Sequence, residues 1–191
     1  MNLPNKLTIL RTILIPFFLV ALLCDKNYGG FIPFGNWIAL GIFAIASITD
    51  MLDGMIARKY NLVTNFGKFM DPLADKLLVC SAMIAFIELE RIPCWIVIII
   101  IAREFIISGF RLVASDNGIV IAAGIWGKIK TAEQMVMLCI LIADFGNVFP
   151  AIANGIHVFE NILIYIALIL TLISLFDYLL HNKGVLAENN K

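Results

Sequence analysis

Residues 50–75 read DMLDGMIARKYNLVTNFGKFMDPLAD, and the rest of the chain is organised around this stretch. It places four aspartates, Asp50, Asp53, Asp71 and Asp75, in a sequence that is otherwise strongly apolar. A carboxylate moved toward hydrocarbon costs several kcal/mol unless it is paired, protonated or bound to metal. Acids inside membrane-spanning segments therefore indicate a functional site.

The spacing of the aspartates fits two helices. On an α-helix, Asp50 and Asp53 lie one turn apart on one face, and so do Asp71 and Asp75 on the next segment. A short loop between the segments makes an antiparallel hairpin, which can gather four carboxylates around hard divalent cations. Taken alone, Asp50 and Asp53 would also suit a cation relay in a transporter, and Asp71 before Pro72 would also suit a helix N-cap.

The composition is that of an integral membrane protein. The 191 residues are 61% hydrophobic and only 15% charged, whereas charged residues make up about a quarter of a soluble domain. The mean hydropathy is +0.96. Formal net charge is zero and the chain has no basic patch, so we expect no nucleic-acid partner.

Six apolar runs predict an all-α membrane protein of one domain, residues 1–191, with six transmembrane helices. Each run is close to the roughly 20 residues that cross a bilayer core, with allowance for tilt. The second helix is expected to continue past Arg58, and loops are expected at 115–127 and 146–155. The expected spans are about 7–23, 37–51, 68–87, 93–113, 129–145 and 156–180.

The distribution of cations predicts the orientation in the membrane. With both termini on one side, only Lys26 and Arg91 of the 14 lysines and arginines fall on the other side. The positive-inside rule then places both termini and the acidic hairpin in the cytoplasm, with the protein in the cell membrane. Helix rise puts Asp50 and Asp75 at similar depths, just below the cytoplasmic surface.

The pattern Asp50-x2-Asp53-Gly54-x2-Ala57-Arg58-x8-Gly67-x3-Asp71-x3-Asp75 resembles the signature of the CDP-alcohol phosphatidyltransferases, membrane enzymes that make phospholipid head groups. The resemblance implies that the four aspartates bind a divalent metal, magnesium or manganese, as two ions. Asp50, Asp53 and Asp71 would be the main ligands. Asp75 would combine ligation with the role of general base.

The resemblance also implies how the donor, CDP-diacylglycerol, is bound. Gly54 and Ala57 lack bulk and would leave room for the nucleotide against the helix, while Arg58 offers a planar donor fork for phosphate or cytosine. The sequence PNKLTILR at the start of the chain is similar to one that lies close to the nucleotide in this family. It adds Asn5 and Thr8 to the candidate residues for the CDP moiety.

The rest of the chain resembles the phosphatidylglycerophosphate synthases of that family. This implies transfer of the phosphatidyl group to sn-glycerol 3-phosphate, with phosphatidylglycerol phosphate and CMP as products. The candidate cations for the acceptor phosphate are Arg103, Arg111, Lys128 and Lys130. Lys128 and Lys130 point to nearly opposite sides of a helix, so at most one of them is expected to reach the acceptor. Glu104 is expected to pair with Arg103 and not to catalyse.

Three alternatives remain open at this point. The same chemistry could use another acceptor, such as serine, inositol phosphate or a phosphatidylglycerol lipid. The basic side chains could instead contact lipid phosphates at the membrane surface. The chain could also be a cation transporter, although transporters usually show internal repeats or broken helices at the midplane, and the sequence has no internal repeat. The resemblance further implies a homodimer among membrane lipids, but no sequence stripe identifies its interface.

Overall fold

A computed structural model of the chain describes the backbone of residues 3–60, 65–116 and 124–181, and the side chains of 9–49, 76–112, 114 and 124–181. Six long helices and one single-turn helix make up most of this part. In chain order they are α1 (Leu3–Leu23), α2 (Gly35–Tyr60), α3 (Asn65–Glu88), α4 (Cys94–Asp116), α5 (Ile125–Ala143), α6 (Phe145–Val148) and α7 (Ala153–His181).

The all-helical prediction is confirmed over the described ranges, and α2 continues past Arg58 to Tyr60 as expected. The expected loop at 115–127 is wrong at both ends, because α4 continues to Asp116 and α5 begins at Ile125. A helix is formed by backbone hydrogen bonds and does not require apolar side chains. It can therefore extend beyond the apolar run from which it is predicted.

The expected loop at 146–155 is also wrong in part. It contains most of α6, a 3-10 turn at Pro150–Ile152 and the start of α7. The break that ends α5 comes at Asp144, which adopts a left-handed conformation with φ of 49°. Its N–H bonds to the carbonyl of Ile140, as a helix C-cap does. The fifth helix therefore ends before Phe145, where the apolar run ends.

Two stretches of the described residues are long and apolar enough to cross a membrane. They are Ile125–Val148 and Pro150–His181, with mean hydropathies of 1.3 and 2.3. In α7, Phe159 and Phe176 are more than half exposed, at 51% and 62%. Large apolar side chains that are this exposed are costly in water and favourable in lipid, so the helices fit a membrane protein.

The helices pack around one apolar core. α1 lies against α2 and α3, α5 lies against α2 and α7, and α4 lies against α3 and α7. Phe18 of α1 and Phe43 of α2 are fully buried with ring centroids 5.8 Å apart, and Met83, Phe86 and Met137 fill the neighbouring layers. We call the end of the bundle that holds residues 60, 65, 116 and 125 the motif end, and the opposite end the far end.

Four polar side chains from different parts of the chain meet at the far end. Arg91, between α3 and α4, donates from Nη1 to Tyr28 Oη at 2.8 Å and to Asp144 Oδ1 at 2.9 Å. Its Nη2 donates to both carboxylate oxygens of Glu160 at 2.8 Å. Tyr28 Oη donates to Asp144 Oδ2 at 3.1 Å. We call Tyr28, Arg91, Asp144 and Glu160 the far-end network.

The far-end network is buried, so its charges depend on one another. The Asp144 side chain is 0% exposed and that of Glu160 is 4% exposed, so Arg91 supplies the positive charge that both carboxylates contact. Burial, together with the charge of Asp144, raises the pKa of Tyr28, so the phenol keeps the proton that it donates. The network fastens three connections to α7.

Replacing Arg91 with methionine should destabilise the protein by about 3–5 kcal/mol, because it leaves two buried carboxylates without their cation. Thermal unfolding in detergent measures this as a lower midpoint. Lys26→Met is the matched control, since Lys26 is an exposed cation at the same end. Equal midpoints for the two variants would show that the network does not stabilise the fold.

Candidate active site

The backbone of the acid motif is helical on both sides of its central loop. Asp50 and Asp53 lie in the last turns of α2, and Asp71 and Asp75 lie in the first half of α3. The i,i+3 and i,i+4 spacings of the sequence are therefore helical spacings in the structure. The side chains of these four expected metal ligands lie outside the described residues.

The expected residues for the CDP moiety also lie outside the described side chains. They are Asn5, Thr8, Gly54, Ala57 and Arg58, all on helical backbone of α1 or α2. Among the described residues, no group of three or more histidine, cysteine, aspartate or glutamate side chains could hold a metal ion. The acid motif stays the metal site that the sequence predicts.

Arg11 is a buried cation that ends the sequence PNKLTILR, which is expected near the nucleotide, but Arg11 itself was not predicted as a contact. It lies on α1, the helix that packs against both α2 and α3, and only 1% of it is exposed. It follows Thr8 by one helical turn. A single cation in an apolar run, at helical spacing from expected nucleotide residues, was the signal that could have identified it.

A carboxylate joins two buried cations between α4 and α5. Glu104 Oε1 accepts hydrogen bonds from Arg103 Nη1 at 3.0 Å and from Lys130 Nζ. Arg103 is 7% exposed and Lys130 is 1% exposed. The expected pairing of Glu104 with Arg103 is confirmed, and the pairing with Lys130, 26 residues away, is new. We call Arg103, Glu104 and Lys130 the Glu104 cluster.

Neighbouring helices fix the position of the Glu104 cluster. Arg103 Nη2 donates to Ser174 Oγ of α7, and the Nε of Arg103 is buried without a partner among the described residues. Lys76 Nζ of α3 donates to the carbonyl oxygen of Glu104 at 3.4 Å. Three helices besides α4 therefore meet at this point, counting α5, which carries Lys130.

A small cleft opens beside the Glu104 cluster. Its volume is about 60 Å³, enough for several waters or one small polar group. Its polar lining comes from α3, α4 and α5, namely Lys76, Glu104, Lys130, Thr131 and Gln134. Lys76, Thr131 and Gln134 were not predicted as site residues from the sequence. The cationic lining suits an anionic ligand.

The other two candidate cations lie apart from this cleft. Arg111 is exposed, and its Cζ lies 5.7 Å from the centre of the Tyr178 ring, at cation–π distance. Lys128 is exposed, whereas Lys130 is buried, so the prediction that these two lysines point to different sides is confirmed. The structure brings Arg103 and Lys130 together through Glu104, and it does not bring Lys128 or Arg111 into the cluster.

Known proteins resemble this chain over most of its length. The CDP-alcohol phosphatidyltransferase family model matches residues 1–173. A Bacillus subtilis protein, the CDP-diacylglycerol–glycerol-3-phosphate 3-phosphatidyltransferase, is 40% identical, with 99% of each chain covered. A Haemophilus influenzae protein of the same name is 40% identical over 98% of this chain and 97% of its own length. A probable phosphatidylglycerophosphate synthase of Mycobacterium tuberculosis is 36% identical over 93% of this chain and 79% of its own.

Two of these relatives match end to end, so the resemblance is not confined to the acid motif. It includes the α4 and α5 segments that hold the Glu104 cluster and the connections of the far-end network. From the family match and these relatives, the chain belongs to the CDP-alcohol phosphatidyltransferase family.

Proposed function

We propose that the chain transfers the phosphatidyl group of CDP-diacylglycerol to sn-glycerol 3-phosphate, giving phosphatidylglycerol phosphate and CMP in phospholipid biosynthesis. The printed names of the Bacillus subtilis and Haemophilus influenzae relatives support this donor and acceptor. The acceptor is the part of the proposal that needs support from this chain's own residues.

The Glu104 cluster is the observation that carries the choice of acceptor. Arg103 and Lys130 are both more than nine-tenths buried, and one carboxylate serves both. The cluster itself contains two cations and one anion, which favours binding of a further anion. A phosphate monoester, with roughly −1.5 to −2 charges at pH 7, supplies that anion, whereas serine brings no phosphate.

The proposed acceptor position is next to the acid motif. Lys76 lines the cleft, and it directly follows Asp75 in α3. An acceptor whose phosphate lies in the cleft would therefore present its hydroxyl toward the part of α3 that carries Asp75. We assign Arg103 and Lys130 to the acceptor phosphate. Lys128, which is exposed, we assign to lipid head groups, and Arg111 to a supporting position at the edge.

The donor diphosphate is assigned to the acid motif. Four carboxylates are hard oxygen donors of the kind that magnesium and manganese prefer, and their helical spacing places them on one face of α2 and one face of α3. Asp50, Asp53, Asp71 and Asp75 would hold two such ions. When bound, the ions neutralise the diphosphate and make its phosphorus easier to attack.

Within the proposed mechanism, the protein residues orient both substrates and move one proton. Asp75 accepts the proton of the attacking hydroxyl of glycerol 3-phosphate. The hydroxyl oxygen forms a bond to the phosphatidyl phosphorus as the bond from that phosphorus to CMP breaks, and CMP leaves with the electron pair. Gly54 and Ala57 leave room for the nucleotide, and Arg58 contacts its phosphate or cytosine.

The start of α1 is assigned to the nucleotide as well. Asn5 and Thr8 would contact the CMP half of the donor. Arg11, buried on the helix that packs against both acid-bearing helices, would add a positive charge near the diphosphate. Such a cation offsets the charge that develops on the leaving group.

We also propose six membrane spans, with both termini and the acid motif in the cytoplasm of the cell. The six long helices and the distribution of lysine and arginine support this orientation. A water-soluble nucleotide and a water-soluble acceptor would then reach the site from the side on which the cell makes them. We propose a homodimer in the lipid bilayer from the family resemblance alone.

A chelator should abolish CMP release, and added magnesium or manganese should restore it, because the carboxylates alone cannot neutralise a diphosphate. The measurement is release of radiolabelled CMP by purified protein. Chelator saturated with magnesium beforehand is the control. Asp50→Asn should also be inactive while it unfolds at a normal temperature. Full turnover without metal would contradict the proposed metal mechanism.

Single cysteines at Asn61 and Asn189 should be shielded from an impermeant thiol reagent outside intact cells, while one at Asn27 should react. The background lacks the four native cysteines. The reason is the excess of lysine and arginine on the side of the termini. Labelling at Asn61 from outside would contradict the proposed orientation and, with it, the cytoplasmic site.

Lys130→Met should raise the KM for glycerol 3-phosphate roughly 10- to 150-fold, because it removes a charge-assisted hydrogen bond of about 1.5–3 kcal/mol. The KM for CDP-diacylglycerol should change little, since metal and Arg58 hold the donor. Lys128→Met is the comparison, and we expect less than about a threefold change there. A panel of serine, inositol phosphate and phosphatidylglycerol should give no acceptor-dependent CMP release. Normal acceptor kinetics in Lys130→Met would remove Lys130 from the site.

A further inference from the structure

We propose that Glu104 is a positioning residue, which holds Lys130 and Arg103 where the acceptor phosphate needs them and takes no part in proton transfer. This inference rests on the proposed function, because it concerns the site assigned to glycerol 3-phosphate. The site assigned to the acceptor phosphate thus contains a carboxylate, and the contacts of this carboxylate explain why a negative charge is present in a site for an anion.

Burial of Lys130 gives the first part of the explanation. The residue is 1% exposed within an apolar bundle, and its Nζ donates to Glu104 Oε1. An unpaired ammonium in such a place costs several kcal/mol. A lysine also has a flexible four-carbon stem, so without a fixed partner its Nζ has no single position. Glu104 keeps Lys130 charged and fixes the direction of its side chain before any acceptor binds.

The second cation of the cluster depends on the same oxygen. Arg103 Nη1 donates to Glu104 Oε1 at 3.0 Å, while Nη2 donates to Ser174 Oγ of α7. With both Nη atoms engaged, the guanidinium plane is fixed, and its Nε remains buried without a partner among the described residues. Glu104 thus aligns two cations from two helices around one point, which reduces the entropy that acceptor binding must overcome.

The backbone at Glu104 is held as well. Lys76 Nζ donates to the Glu104 carbonyl oxygen at 3.4 Å, and Ser108 Oγ donates to the same oxygen at 2.6 Å. The carboxylate therefore extends from a fixed point on α4 toward α5. A positioning role requires such a rigid origin, because a mobile carboxylate could not define the distance between the two cations.

The geometry argues against a role in proton transfer. Two cations donate to Oε1 of Glu104, which stabilises the carboxylate as an anion and makes it a poor proton acceptor. In addition, the general base proposed for this reaction is Asp75, which belongs to α3, whereas Glu104 belongs to α4. Glu104 therefore affects the reaction through the cations that it holds.

The test compares Glu104→Gln, Glu104→Asp and the control Glu88→Gln, an exposed carboxylate at the far end of α3. Glu104→Gln should raise the KM for glycerol 3-phosphate about tenfold or more. The KM for CDP-diacylglycerol and the kcat at saturating acceptor should change less than about threefold. Glu104→Asp keeps the charge on a shorter stem and should recover part of the loss. Glu88→Gln should behave as the unchanged protein does.

A double-mutant cycle tests whether Glu104 acts through Lys130. In a Lys130→Met background, Glu104→Gln should raise the acceptor KM much less than in the unchanged protein, because only Arg103 is left for it to hold. The double variant removes Lys130 together with the carboxylate that it contacts, and Arg103 keeps Ser174 and the new side-chain amide oxygen as acceptors, so it should fold even if Glu104→Gln alone does not. In that case its kinetics are compared with those of Lys130→Met, and similar values are expected.

Three results would overturn the proposal. The first is an unchanged acceptor KM in Glu104→Gln that folds normally. The second is a large loss of kcat at saturating acceptor with the KM unchanged, which would place Glu104 at the reacting atoms. The third is full additivity of the two substitutions in the cycle. Failure of the proposed function is a separate result, because the unchanged protein would then release CMP without dependence on glycerol 3-phosphate.

Discussion

Ion pairs between largely buried side chains from different parts of the chain hold this bundle together, and the rest of the structure depends on them. At the far end, one cation, Arg91, contacts the carboxylates of Asp144 and Glu160. At the middle of α4 the arrangement is reversed, because one carboxylate, Glu104, contacts two cations. A buried pair adds little stability over an apolar one, but loss of one partner is costly. These contacts therefore specify which helices can be neighbours more than they add to stability.

The far-end network and the Glu104 cluster consequently have different roles. At the far end, Tyr28 completes the network, and His157 Nδ1 lies 3.0 Å from Glu160 Oε2, so the polar groups there are bonded to one another. The buried carboxylate of Asp25 likewise accepts from the backbone N–H groups of Asn27 and Asn36. These contacts close the connections between helices. At the Glu104 cluster, the Nε of Arg103 has no partner among the described residues, and a cleft lined by Lys76, Glu104 and Lys130 leaves room for a ligand.

The sequence predicted features that depend on residues close together in the chain, and it missed features that depend on residues far apart. Helix existence followed from apolar runs, and the acid motif from eight positions within 26 residues. The end of α5 did not follow, because it depends on the left-handed conformation of Asp144 and its contact with Arg91, 53 residues away. Arg91 was counted only as a cation outside the membrane, although it is the centre of the far-end network. Periodicity carries no information on which distant polar residues meet.

The same distinction applies to the candidate site. Glu104 and Arg103 are neighbours in sequence, so their pairing could be predicted, whereas the contact with Lys130 depends on how α4 and α5 each pack against α7. The opposite directions of Lys128 and Lys130 followed from helix geometry alone. Which of the two is buried did not, because that depends on which face of α5 meets α3 and α4.

In the proposed mechanism, the acidic and the basic side chains form separate phosphate sites, and this separation allows the protein to distinguish donor from acceptor. The donor and the acceptor both carry phosphate, so a single phosphate site would bind either one. Carboxylates on α2 and α3 would bind phosphate only through metal ions, whereas Arg103 and Lys130 on α4 and α5 would bind it directly. The two groups meet on α3, where Asp75 and Lys76 are consecutive, about 1.5 Å apart along the helix axis and about 100° apart around it. Lys76 lines the cleft, so under the proposed mechanism an acceptor phosphate bound there would direct the hydroxyl end of a three-carbon acceptor toward the part of α3 that carries the proposed base.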